Sequence, residues 1–337
     1  MSEEMLAALA KVAPGTGLRE AIENILRAHT GALIVVGGEP DIDAIVNGGF
    51  RLDVPFQAGL VYELAKMDGA ILLDADVRRI RAANVELLPA QTLLSNETGM
   101  RHRTAERVAR STDALVVAIS QRRNLVSLYR GTERYLLHDL GYILTKANQA
   151  LASLNRYDRL WHAAARRLTL AELQGPVPIR EVVEVLHRLA LVIRIREEIR
   201  GYVLELGDEG HLIDLQLEEF PPPGRAWEAL WKDYAVDPEA PVPAPGPSRA
   251  WDPAEWERRL GYGGPDELAV PRGWRALQQV PRLPPALIER VVRHFGTLPR
   301  LRAAAPDELD RIEGIGPQRA RLIWRELHEG AAETLTP

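Results

Sequence analysis

Cysteine is absent from the 337 residues. That excludes disulfides, thiolate-held zinc and cysteine nucleophiles, and a reducing cytoplasm is the simplest home for such a chain. No run of about 18 apolar residues occurs, so no membrane span is expected. The opening stretch MSEEMLAALAKVAPG lacks the basic-then-apolar layout of a signal peptide. No segment fits G-x-x-x-x-G-K-[ST], and the Gly15-Thr16-Gly17 stretch is too short and precedes no strand. The 8 histidines are scattered, with no His-x-x-x-His spacing for zinc. What is present is ordinary: 46% apolar and 26% charged residues, the balance of a soluble globular protein. The length suits two or three domains, because single cores rarely grow past about 250 residues.

The net charge of −5 hides an asymmetry. From Arg272 to His328 there are 11 Arg, no Lys and 6 Asp plus Glu, a surplus of 5 positive charges, so the remainder carries −10. A basic module on an acidic body points to one end meeting a polyanion.

Hydrophobic spacing divides the chain. LREAIENILRA (18–28), QAGLVYELAKM (57–67) and RHRTAERVAR (101–110) have helical spacing. ALIVVG (32–37), GAILLDAD (69–76), NVELLPA (84–90), ALVVAIS (114–120), NLVSLYR (124–130) and RYLL (134–137) read as strands. This predicts an α/β domain, a mixed sheet flanked by helices, over residues 1–140. No strand pattern appears from about 139 to 219, and IREVVEVLHRLALVIRIREEIRGYVLEL (179–206) carries a 3.6-period apolar stripe, predicting an all-α spine over 141–220. Residues 221–250, dense in proline, are expected to be an extended, semi-rigid spacer before a third module at 251–330.

That module ends in LDRIEGIGPQRARLIWREL (309–327). Gly314 and Gly316 flank Ile315 between two helical stretches, allowing a sharp turn with bare N–H groups at the start of the second helix, where the dipole favours an anion. Pro317 suits the first helical turn. Arg319 and Arg321 follow within a turn. The pattern resembles the helix–hairpin–helix motif, which grips the DNA backbone without reading bases. VVRHFGTLPRLRAAAPDEL (291–309) resembles the partner half of a tandem hairpin domain.

Two N-terminal stretches carry chemistry. In MDGAILLD (67–74), Asp68-Gly69 stands at the entrance to a buried strand; it is either a turn pair or a carboxylate placed for a divalent cation or a ribose hydroxyl, with Gly69 allowing a ligand close to the backbone. In SNETGMRHRTAER (95–107), Gly99 precedes Arg101, His102 and Arg103, three potential cations, with the Thr104 hydroxyl in the same turn. Cations in the first turn of a helix oppose its dipole unless an anion lies between them, and arginine is the preferred fork for phosphate.

MDGAILLD, TGMRHRTAER and AISQRRNLVSLYRG in this order resemble the diadenylate cyclase domain. The three-part layout is similar to the bacterial DNA integrity scanning family, a cyclase domain followed by a helical spine and a helix–hairpin–helix domain. The likeness extends through LTKANQAL (144–151), EEIRGYVLELGDEGHLIDLQLEE (197–219) and LGYGG (260–264). The resemblance implies condensation of two ATP into cyclic di-AMP with release of two pyrophosphates, Mg²⁺ or Mn²⁺ as cofactor, octamers with cyclase domains face to face, and a cytoplasmic, nucleoid-associated protein that meets branched, duplex or damaged DNA in repair. It implies that Asp68 binds the metal or orients the 3′-hydroxyl and that Gly69 lies against the nucleotide. Leu87 would flank the adenine, and Arg101, His102, Arg103, Thr104, Ser120 and Arg123 would hold the phosphates. Met100 stands where the family has threonine, and the spacer around 237–247 is atypical. The alternatives are a sensor that binds nucleotide without turnover and a DNA scaffold, the second disfavoured because a scaffold has no use for Asp68 and Arg101–Arg103.

Overall fold

The computed structural model describes residues 2–90, 92–246 and 251–330. It falls into two compact units, Met1–Gln149 with Glu198–Glu218 and Ala150–Glu197 with Glu219–Pro337.

The first unit opens with α1 (Glu3–Lys11) and α2 (Gly17–Arg27). β1 (Ala32–Val36), α3 (Asp41–Ile45), β2 (Val46–Asn47), β3 (Phe50–Pro55), α4 (Ala58–Leu64), β4 (Ala70–Leu73) and β5 (Arg79–Leu87) follow. α5 (Met100–Ser111) leads into β6 (Leu115–Ser120), β7 (Leu125–Arg130) and β8 (Glu133–Leu137). The strands form one sheet in the order β2-β5-β4-β1-β6-β7-β8, with β3 also on β5. β1 and β4 are parallel; the other pairs are antiparallel. This is the mixed sheet the alternation of elements predicts.

The apolar runs are continuous because helices cover both faces. Ala32, Ile34 and Val36 enter the core made with α1, α2 and α4. Leu33 and Val35 face the opposite layer, where Ala105, Val108 and Ala109 of α5 pack down. Four elements escaped the periodicity: α1, the short α3 and β2, and β3. α1 forms because the Ser2 hydroxyl caps the Met5 amide at 3.2 Å and Glu3 and Glu4 suit the dipole, while Met5, Ala8 and Leu9 are buried. β3 is a half-exposed edge partner of β5, whose charged residues mask the strand pattern.

The long helices are α6 (Leu140–Gln174) and α7 (Ile179–Leu206), separated by β9 (Val177–Pro178); the division between units falls inside both helices. α8 (His211–Glu218), α9 (Gly224–Tyr234) and α10 (Pro253–Leu260) come next. The chain continues through β10 (Leu268–Ala269), α11 (Trp274–Gln278), α12 (Pro285–Phe295), α13 (Leu298–Ala303), α14 (Pro306–Asp310) and α15 (Pro317–Arg325). β9 pairs with β10, a short ladder inside the region expected to be free of strand.

The expected spacer at 221–250 is corrected. Its first proline run ends at Pro223, the N-cap position of α9, and before the prolines resume at Pro238 the helix buries Trp227, Leu230, Trp231 and Tyr234 against Val182, Leu186 and Trp256. Aromatic burial overrides the proline signal. Residues 241–246 have no regular structure, yet the Trp227 indole donates to the Pro243 carbonyl at 2.8 Å and ties that run to the helix. Residues 247–250 lie outside the described residues.

α9 also docks α11. The buried Asp233 carboxylate accepts from the amides of Gly273, Trp274 and Arg275 at 2.7, 2.6 and 2.9 Å. Arg275 donates to Glu172 at 2.6 Å, and Tyr234 also donates to Glu172. Burial pushes the Asp233 and Glu172 carboxyls up, against the pull of Arg275.

Candidate functional site

One end of the sheet carries two of the predicted residues of the first unit, Asp68 and Ser120. Parallel β1 and β4 start there and antiparallel β6 finishes there, so Gly31, Asp68 and Ser120 come to one edge. The Asp68 side chain is fully exposed, and its Oδ1 stands 4.0 Å from Arg101 Nη2. Ser120 ends β6, and its Oγ accepts the Arg123 amide at 3.4 Å, fixing the turn that carries Arg123.

α5 starts at Gly99 without a side-chain cap and with no acid in its first turn. Its leading amides therefore face outward with the positive end of the dipole, an anion site by default. The three residues expected to act together diverge. Arg101 reaches toward Asp68 and lies over Gly31: a Cβ there would stand 2.1 Å from Arg101 Nη1. Arg103 is exposed and leans on the Glu97 carbonyl at 3.4 Å. His102 packs edge-on to Tyr129, ring centroids 6.4 Å apart. Burial, followed by the charges of Arg134, Arg101 and Arg123, lowers the His102 pKa against the opposing pull of Glu97. That shift works against a third cation at this position and favours the neutral imidazole. Thr104 follows, partly buried.

The surroundings of two further predicted residues are set by packing. Gly69 is required by the sheet itself, since a Cβ would lie 2.4 Å from Asn84 Cα and 2.6 Å from Val85 N. Leu87 stands at the same sheet end, two residues beyond Val85, the partner of Ala70, but is only 8% exposed and belongs to the core.

Four residues around the candidate site were not singled out in the sequence, although Glu97, Tyr129 and Arg134 lie inside the quoted stretches. Gly31 leaves room for the Arg101 guanidinium. Glu97 accepts from the Tyr129 hydroxyl and from Arg134, both at 2.9 Å, and Tyr129 in turn supports His102. The β7–β8 register brings Arg134 opposite Tyr129, a pairing legible only once the hairpin is known. Gly31→Val is expected to displace Arg101 and lower kcat/KM for ATP by about a hundredfold, the usual cost of an ångström-scale misplacement. Steady-state kinetics test this; an unchanged kcat/KM would remove Arg101 from the phosphate grip.

In the second unit the turn Gly314-Ile315-Gly316 forms as predicted, with Ile315 buried beneath it. Gly314 adopts φ +88°, and a Cβ there would meet Leu287 at 2.9 Å. Gly316 is extended, and no atom lies within 4 Å of an added Cβ, so the fold itself leaves room for a side chain there. Arg319 donates to the Gly314 carbonyl at 2.9 Å; Arg321 is exposed. The partner turn lies upstream of the stretch expected for it. Val280-Pro281-Arg282-Leu283-Pro284-Pro285 repeats the frame of Ile312-Glu313-Gly314-Ile315-Gly316-Pro317, and α12 and α15 both begin at its last proline. Arg282, at φ +57°, stands where Gly314 does in the second turn.

Gly316→Val is expected to fold normally and weaken four-way-junction binding about tenfold or more by blocking the helix-end amides. Gly314→Val would lose stability as well. Gel shift at low salt beside thermal melting separates the two; a folded Gly316→Val that shifts DNA normally would sink the amide reading.

Comparison with known proteins agrees with this layout. The family described as "DisA bacterial checkpoint controller nucleotide-binding" matches residues 19–134, its linker region 137–244, and a "SAM-like Helix-hairpin-helix tandem" 275–329. The DNA integrity scanning protein DisA of Symbiobacterium thermophilum is 48% identical over 329 residues, 95% of this chain and 93% of that protein. The protein of the same name from Bacillus subtilis is 44% identical, covering 94% and 91%. The chain belongs to the DisA family of DNA integrity scanning proteins. It is accordingly a diadenylate cyclase, with ATP as substrate and a helix–hairpin–helix module for DNA. Among the described residues no helix is long and apolar enough to cross a membrane.

Proposed function

We propose that the open sheet end at Asp68 and Arg101 is the cyclase site, and that it is completed by a second subunit. The observation that carries this is the 4.0 Å approach of Asp68 to Arg101 beside an α5 N-terminus free of acids: one carboxylate for a metal or hydroxyl, opposite donors for phosphate. Arg101, Arg103, Arg123 and the α5 amides hold the triphosphate and stabilise the departing pyrophosphate. Neutral His102 offers a directional hydrogen bond. Thr104 and Ser120 supply hydroxyls, Gly69 keeps the strand close, and Leu87 forms the floor beneath the adenine.

Among the described residues no three His, Cys, Asp or Glu side chains gather into a metal site. That suits Mg²⁺ or Mn²⁺, which are commonly held by one or two carboxylates together with substrate phosphates, and Asp68 supplies the carboxylate. A bound divalent ion would neutralise phosphate charge. The 3′-oxygen of one ATP forms a bond to the α-phosphorus of the other as the bond to pyrophosphate breaks, and the exchange is repeated in the opposite sense. Such transfer needs alignment and charge stabilisation more than covalent help. One chain offers a single such set of ligands, so the nucleophile comes from a facing chain. Leu88, Leu94 and Met100, 55%, 84% and 84% exposed in the segment leading into α5, support a face-to-face contact, with octamers as the full assembly.

The division of labour is cyclase at 1–140, spine at 141–220 and DNA module at 251–330, in a cytoplasmic, nucleoid-associated protein. Branched DNA at the module lowers cyclase output. The test incubates the full chain with ATP and Mg²⁺ or Mn²⁺, with and without saturating four-way junctions, and resolves products by anion exchange. Cyclic di-AMP that falls with junction DNA is expected. No product with either metal would favour a nucleotide-binding sensor, and an unaffected rate would remove the coupling.

A further inference from the structure

A cavity of about 520 Å³ lies within the second unit, a volume in the range of small-molecule sites. Its walls come from α6, α9, α11, α13 and the turn at Glu326–Leu327, so spine helices and DNA-module helices enclose it together.

The charges on its wall are unevenly committed. Glu172 and Arg275 are closed on each other at 2.6 Å, and Arg275 Nη2 also donates to Thr169 Oγ1 at 3.1 Å. Glu326 pairs with Arg325 at 3.6 Å. Arg302 is different: it lines the cavity, and no carboxylate of the described residues pairs with it. A guanidinium beside a cavity without an acid partner leaves its charge for an anion. Arg166 lines the same cavity from an exposed position on α6, and one turn earlier Trp161 contributes a half-buried indole. Guanidinium forks match phosphate oxygens, and an indole face stacks on a planar base.

We propose that this cavity binds a nucleotide, its phosphate on Arg302 and Arg166 and its base on Trp161, and that the bound nucleotide clamps the DNA module to the spine. The site is independent of the assignment of the cyclase residues.

The test uses the full chain, titrated with AMP, cyclic di-AMP and inorganic phosphate by calorimetry and tryptophan fluorescence. AMP is expected to bind and to quench fluorescence. Arg302→Glu and Arg166→Glu are each expected to weaken it about tenfold, the loss of one charge-assisted contact. Trp161→Phe should remove most of the quench. Arg166 is solvent-exposed, so Arg166→Glu decides the matter if Arg302→Glu fails to fold. Cyclic di-AMP binding tighter than AMP would identify the ligand as the enzyme's own product; the reverse order would identify a mononucleotide. AMP binding that survives Arg166→Glu and disappears in Arg101→Ala would overturn the proposal by assigning all of it to the cyclase site. AMP binding no tighter than inorganic phosphate would overturn it too, leaving the base without a role.

Discussion

Asp68→Asn is expected to cut cyclic di-AMP formation by about 10²–10³-fold, the scale of losing one directed charge in a transition state. The substitution keeps size and shape and removes only the negative charge. Because the side chain is fully exposed, the fold is not expected to notice: surface changes of this kind stay within about 0.5 kcal/mol. Rate and stability therefore separate. Anion-exchange analysis of products beside a thermal melt gives both, and a variant that melts normally while making product within tenfold of the parent would take Asp68 out of the chemistry. Arg101→Lys sharpens the reading, since it keeps a charge opposite Asp68 but gives up the bidentate fork.

The second large effect is one of stability. Glu172→Ala leaves the Arg275 guanidinium, 15% exposed, without its carboxylate partner and the Tyr234 hydroxyl without its acceptor. Breaking a buried ion pair by removing one member costs about 3–5 kcal/mol, because the surviving charge stays desolvated. For a unit of this size that lowers Tm by roughly 10 °C. Replacing both partners, Glu172→Met with Arg275→Met, is expected to recover most of the loss, since well-packed apolar pairs often match buried ion pairs. A Glu172→Ala melt within a degree or two of the parent would show that the pair contributes nothing net.

The fold was legible wherever one physical signal dominated. ALIVV and AILL are buried on both faces and read as strands from apolar content alone. The Gly314 turn announced itself because its left-handed backbone and its tight packing on Leu287 leave little choice of residue. α9 was hidden, since proline frequency in a window says nothing about where a tryptophan stripe will pack. In the site, residues that supply charge were visible, and those that place the charge were not. Gly31 lies 70 positions before the arginine it accommodates, and Glu97 meets Arg134 only through a strand register. The charge state of His102 was beyond reach for the same reason, because burial is a property of neighbours distant in sequence.

The two turns of the DNA module were cut from one frame and have diverged. One presents bare amides; the other presents the guanidinium of Arg282 and, at Pro284, no N–H at all. Amides hold an anion through fixed geometry at short range, whereas an exposed guanidinium works through a field that mobile ions screen within about 10 Å at 0.1 M ionic strength. A grip on DNA that used both turns would lose the second before the first as salt rises, passing from a two-point clasp to a single pivot.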